Sequence, residues 1–176
     1  IDLLIIMLGT NDTKDRFGLS PACIAAGMGR LLNKAKATPC WGTHAPNILV
    51  ICPPHIGDGL NDRCMGVTCA EKSRELAEYY APVAKNQGCA FLDAEGIAEF
   101  NKVDFMHLSR KGHAQLAEKL AELAEGLDGA KDAALLYVFD SNSYSTMKHL
   151  KGYGWIKHDQ VQWYLAESQK YTEANG

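Results

Sequence analysis

Apolar residues arrive along this chain in two rhythms, and their order predicts the architecture. Residues 3–8 (LLIIML) are apolar without interruption and stop at Gly9. A run with no polar alternation suits a central parallel strand buried on both faces. Residues 47–52 (NILVIC) repeat the pattern and are stopped by Pro53 and Pro54, and residues 89–92 form a shorter third run. Between these runs the spacing changes to that of helices. Ser20 and Pro21 read as an N-cap followed by proline at the first helical position. Ile24, Met28, Leu31, Leu32 and Ala35 follow at helical intervals, with Lys34 and Lys36 placed to favour the helix C-terminus. Residues 69–86 predict a second helix with Leu76, Tyr80, Val83 and Ala84 on one side. Ser109 is placed to cap a third helix whose stripe is Leu116, Leu120, Leu123 and Leu127.

Strand and helix therefore alternate, which predicts an α/β fold: a mainly parallel sheet, helices on both faces, right-handed crossovers. A break follows near Gly126, Asp128 and Gly129. Beyond it, residues 134–139 read as a strand, and residues 159–170 as a helix after a polar loop. This divides the chain into a domain at 1–127 and an appended strand–loop–helix segment at 128–176.

Composition narrows the class. The chain has 176 residues, 47% of them hydrophobic, and a net charge of −3, with no basic face to attract nucleic acid. No apolar run approaches the roughly 20 residues of a membrane-spanning helix. The six cysteines are expected to be free thiols of a cytoplasmic protein, and without a CxxC pair they do not suggest structural zinc. Trp41, in a loop, is placed to face a partner chain. The chain opens at Ile1 almost inside its first strand and is read as a fragment, or as a trimmed or rearranged product.

In sheets of this kind chemistry gathers at the carboxyl ends of the strands. Gly9-Thr10-Asn11-Asp12 follows the first strand directly. Glycine allows a sharp turn there, and an asparagine amide can donate to a developing oxyanion. The plainer reading is a turn held by Asp12. Asp104 precedes His107 by three residues, so its carboxylate can orient the imidazole and stabilise its protonated form. The imidazole can then serve as general base toward a serine. The plainer reading is an incidental surface pair. His113 reads as a packing residue in the first turn of the third helix. His55, Asp58 and Asp62 fit no standard metal-ligand spacing and read as solvated loop residues.

Taken together and in this order, the Asn11 and Asp104/His107 motifs resemble blocks III and V of the SGNH/GDSL hydrolase superfamily. Residues 2–13 (DLLIIMLGTNDT), 49–54 (LVICPP) and 71–77 (EKSRELA) look like its arylesterase/acyltransferase branch. The resemblance covers about residues 1 to 127. It implies a three-layer, flavodoxin-like fold and hydrolysis of small acyl esters, sometimes with acyl transfer to other acceptors. It also implies Asn11 as oxyanion donor, Asp104 as orienter and His107 as base. Gly9, Thr10 and His55 would border the substrate, and no metal or organic cofactor is expected. The family's Gly-Asp-Ser nucleophile block and its glycine donor block are both expected before Ile1, which would leave the sheet incomplete. A catalytically inactive remnant or interaction domain is therefore the competing reading. Exposed strand edges in such a sheet favour a homo-oligomer.

The tail carries a different resemblance. Residues 136–145 (LYVFDSNSYS), 152–157 (GYGWIK) and 159–164 (DQVQWY) resemble a stretch of calcineurin-like metallophosphoesterases, without that family's metal-ligand motifs. A phosphoesterase-related function is the weakest of the readings. The strand at 134–139 ends in Asp140-Ser141, as the absent first strand of the family ends in Asp-Ser. It is a candidate to fill the vacant place in the sheet and to present Ser141 as nucleophile. The alternative is that Ser141 sits in a loop serving nothing.

Overall fold

Three parallel strands form the centre of the molecule: β1 (Leu3–Met7), β2 (Ile48–Cys52) and β3 (Ala90–Asp93). The computed structural model describes residues 1–126 and the backbone of a further short strand, β4 (Leu135–Leu136). The strand order is β3-β2-β1-β4 and every pairing is parallel. Ile5 lies opposite Leu49, and Val50 opposite Phe91.

The unbroken apolar runs are explained by what covers them. Alternate residues of a strand point to opposite faces. Ile6, Ile48, Val50 and Cys52 meet α1 (Pro21–Ala37) and α2 (Cys69–Asn86) through Met28, Leu32, Leu76 and Tyr80. Leu3, Ile5, Met7, Leu49 and Ile51 pack on the other face against Leu116 of α3 (Arg110–Gly126). The result is the three-layer α/β arrangement that the spacing predicts. Each large apolar side chain sealed in this way contributes about 1.5–3 kcal/mol of transfer free energy.

The helix starts follow their sequence signals. The Ser20 hydroxyl accepts from the Cys23 amide at 3.3 Å, with Pro21 at the first helical position. Ser109 does the same for α3, accepting from the Gly112 amide at 2.9 Å. Helix α2 starts differently. The Thr68 side chain makes no capping bond of its own, and the Asp15 carboxylate, from the loop after β1, accepts from the Val67 and Thr68 amides at 2.8 and 3.2 Å. A carboxylate at a helix N-terminus satisfies orphan donors and meets the positive end of the helix dipole.

Two expectations are overturned. Trp41 does not face outward: it is 6% exposed in the core beside α1, and its indole N–H donates to the Ala35 carbonyl at 3.0 Å. That carbonyl belongs to the last turn of α1 and also accepts from the Thr38 amide at 3.2 Å. His113 is exposed rather than packed, because Leu108 and Leu116 fill the space beneath the first turn of α3. Of the strand expected at 134–139, Leu135–Leu136 pairs with β1 as Leu3↔Leu135 and Leu4↔Leu136. Ser141 and the expected helix at 159–170 lie outside the described residues. Among the described residues, no helix is long and apolar enough to cross a membrane.

Candidate active site

The carboxyl ends of β1 and β2 and the loop after β3 converge on a cavity of about 100 Å³. Its walls are the 9–12 turn, Pro53, Phe100, Met106 and Leu108. His55 is not among its lining residues. Its backbone amide donates to the Glu95 carboxylate at 2.8 Å, and its ring nitrogen Nδ1 lies 3.6 Å from the same oxygen.

The first wall is built by a glycine. Gly9 has φ 135, a conformation that side chains oppose, and a Cβ there would lie 2.6 Å from the Tyr80 hydroxyl oxygen. The chain then turns immediately into a short 3-10 segment, Thr10–Thr13. The Asp12 amide donates to the Gly9 carbonyl at 2.9 Å, and the buried Thr13 hydroxyl donates to the Thr10 carbonyl at 2.6 Å. Gly9, Thr10 and Asn11 all line the cavity.

The loop that supplies Met106 and Leu108 to the other wall also carries the acid–base pair, although neither Asp104 nor His107 is itself among the lining residues. Asp104 Oδ2 and His107 Nδ1 are 2.6 Å apart. Asp104 Oδ1 accepts from the Met106 and His107 amides at 3.1 and 3.0 Å. Burial pushes the Asp104 carboxyl up. The hydrogen bonds from the His107 ring and from the two amides outweigh it and hold the group below its ordinary 3.8. An ionised carboxylate only accepts, so Nδ1 carries the ring proton. In the neutral imidazole the lone pair is then on Nε2.

Asn101 shapes this loop, and sequence reasoning missed it. Its side-chain oxygen accepts from the Val103 and Asp104 amides at 2.8 and 2.9 Å. Its side-chain nitrogen donates to Asp104 Oδ1 and to the His107 carbonyl, both at 3.1 Å. One asparagine thus ties both members of the pair to the start of their own loop. An asparagine opening a polar stretch is a turn signal that the sequence does carry.

Phe105, between the pair, sits at φ 60, a left-handed conformation that a bulky residue adopts only when its surroundings impose it. Those surroundings are the loop after β2. The Gly57 amide donates to the Phe105 carbonyl at 2.9 Å. The Phe105 ring lies over Gly57 and Gly59, where a Cβ would come within 2.9 Å and 2.6 Å of ring carbons.

The described residues hold three serines, each already engaged. Ser20 caps α1 and Ser109 caps α3, while buried Ser73 accepts from the Ile56 amide and donates to the Ala70 carbonyl. Cys52, at the end of β2, is no substitute. Burial first, then the carboxylates of Asp93 and Glu95, push its thiol up to about 12, so it stays protonated. Asp58 pairs with Arg74, and Asp62 caps the Cys64 amide. Among the described residues, no group of three or more His, Cys, Asp or Glu is arranged to hold a metal ion.

Residues 2–115 match the model of the GDSL-like lipase/acylhydrolase family. The chain belongs to that family. No curated protein matches the chain. Among solved structures, it resembles the native aryl esterase of M. smegmatis, with 32% identity, a TM-score of 0.66, and coverage of 72% of this chain and 61% of that one. It also resembles a carbohydrate acetylesterase from Sinorhizobium meliloti, with 36% identity, a TM-score of 0.59, and coverage of 70% and 61%. The chain spans about three fifths of the length of these family structures. The family match ends before the tail, and nothing in it supports the metallophosphoesterase resemblance of residues 134–176.

Proposed function

We propose that the chain is a carboxylic ester hydrolase acting on small acyl esters, with Asn11, Asp104 and His107 as its oxyanion donor, orienting acid and general base. The observation that carries this reading is the 2.6 Å contact between His107 Nδ1 and Asp104 Oδ2, on a loop whose Met106 and Leu108 line a small cavity together with the Asn11 turn. The arylesterase and acetylesterase structures that it resembles support the substrate class.

The mechanism follows from the proton inventory. A serine hydroxyl attacks the acyl carbon while His107 Nε2 takes its proton. The charge that develops on the acyl oxygen is met by the Asn11 amide, and one such donor is worth about 3 kcal/mol in a transition state. Collapse expels the alcohol, which leaves with the proton from His107. Water then attacks the acyl-serine with His107 again as base, releasing the acid and regenerating the serine. An alcohol in place of water would complete acyl transfer by the same steps. The candidate nucleophile of this chain is Ser141, which lies outside the described residues.

Hydrolysis of a nitrophenyl acetate by the purified chain tests this reading beside His107→Ala and Ser141→Ala. Activity lost in both variants supports it, with Ser141 as nucleophile. Activity lost only with His107→Ala moves the nucleophile to another serine, which a phosphonate label would locate. A folded chain without activity would refute the hydrolase reading and leave a scaffold without its chemistry.

A further inference from the structure

The 9–13 turn is short, and its internal bonds fix its shape but not its place. Side chains of α2 bond it to the sheet's helical layer at both of its ends. Where β1 ends, the Tyr80 hydroxyl donates to the Leu8 carbonyl at 3.0 Å. Where the turn ends, the Lys72 ammonium donates to the Thr13 carbonyl at 3.2 Å. Lys72 is itself held by Asp15 Oδ1 at 3.0 Å. The other oxygen of Asp15 takes the Val67 and Thr68 amides at the start of the same helix. Between the two donors, Leu76 packs close against Gly9, with its Cδ1 3.3 Å from where a Cβ would stand.

Lys72, Leu76 and Tyr80 are spaced by four residues and so share one face of α2, spanning about 12 Å at 1.5 Å per residue. That face meets the turn at Gly9 and at Thr13. We propose that Lys72 and Tyr80 are positioning residues that clamp the Asn11 turn at its two ends, with Asp15 aiming the lysine. The proposal rests on the reading of Asn11 as the oxyanion donor.

The physical case is one of preorganisation. An oxyanion donor helps only if it already stands where the charge will appear, since moving it during the reaction would cost what the bond returns. The Leu8 carbonyl lies just beyond the last paired residue of β1, and the Thr13 carbonyl lies at the end of a single 3-10 turn. Without the clamp, neither end of the turn would be tied to another element by these bonds. The side chains of Lys72 and Asp15 are 17% and 31% exposed, so the pair is half-buried. Losing it should lower stability modestly and, beyond that, misplace the turn.

The test uses the full chain with Lys72→Met, Lys72→Arg and Tyr80→Phe, and reads two quantities. The first is amide hydrogen exchange at Asp12 and Thr13, with Val50 and Ile51 as internal controls. The second is kcat and KM for a nitrophenyl acetate. The clamp predicts that Lys72→Met and Tyr80→Phe speed exchange at Asp12 and Thr13 by clearly more than at Val50 and Ile51, whose rates follow global stability alone. It also predicts that kcat falls by about 10- to 100-fold, the scale of a sub-ångström to 1 Å misplacement, while KM stays within about twofold. Lys72→Arg, which keeps a cation and its donors, should restore most of both. Unchanged exchange in Lys72→Met and Tyr80→Phe would overturn the clamp, as would a raised KM at constant kcat. If the wild-type chain hydrolyses no ester, the proposed function fails, and the exchange measurement alone still decides whether α2 holds the turn.

Discussion

Ser73 is the perturbation whose consequence can be worked furthest from the structure. It lies in the middle of α2, where serine is a weaker helix former than alanine, and it is only 3% exposed. Its hydroxyl accepts from the Ile56 amide at 2.9 Å and donates to the Ala70 carbonyl at 2.7 Å. Ile56 is 1% exposed, so water does not readily replace the lost partner. Ser73→Ala leaves a buried amide without an acceptor, which costs about 1–3 kcal/mol. Alanine returns about 0.5 kcal/mol through better helix propensity, so the net loss is about 0.5–2.5 kcal/mol. In a chain of this size that lowers Tm by about 1–10 °C. Urea unfolding followed by circular dichroism measures it as a shift of midpoint at constant slope. Exchange of the Ile56 amide should accelerate in parallel. A loss below about 0.5 kcal/mol, within the range of ordinary surface substitutions, would mean that the Ile56 amide has another acceptor and that Ser73 does not anchor the loop after β2.

Two further outcomes follow from the same loops. Gly59→Ala puts a methyl group into the Phe105 ring and should cost about 1–3 kcal/mol by thermal melting. The same substitution in a Phe105→Ala background should cost almost nothing, and a full cost there would show that the ring is not the obstacle. In acid, Asp15 should matter most. Hydrogen bonds from the Thr68 hydroxyl, then from Lys72, hold its carboxyl far below the ordinary 3.8. The folded state therefore binds that proton less tightly than the unfolded chain. The stability gained is fully present above about pH 4 and is lost as pH falls toward the folded-state value. Asp15→Asn should flatten the acid limb of a stability–pH curve, and an unchanged limb would refute the assignment.

The elements were legible because their signals are local. The run at residues 3–8 suits a strand covered on both faces, and Ser20-Pro21 reads as the opening of a helix. The helix expected at residues 69–86 is found as Cys69–Asn86. The sequence also brought Asp104 and His107 together, since three residues around a turn suffice for contact. What it concealed is long-range. Nothing local to Lys72 points to its partner Thr13, 59 residues away. Tyr80 was legible as core, but not its bond to Leu8, 72 residues away. Phe105 gives no sign of a left-handed backbone, because that conformation is imposed by Gly57 and Gly59 on another loop. Trp41 misled for a similar reason: a loop position says nothing about whether a helix carbonyl is waiting beneath it.

Helix α2 is the element these long-range bonds have in common. Lys72 and Tyr80 hold the turn that carries Asn11. Ser73, on the same helical turn as Lys72, holds the Ile56 amide. Gly57, next along that loop, takes the Phe105 carbonyl and so braces the loop that carries Asp104 and His107. Both walls of the cavity are thus referred to one rigid body, which is what a site needs if its groups are to keep a distance none of them sets alone. The apolar stripe of α2 explains why the helix packs on the sheet. Its buried polar groups, Ser73 and the Tyr80 hydroxyl, contribute little to that packing. They are accounted for by the loops they reach, one carrying Asn11 and the other bracing the loop of Asp104 and His107.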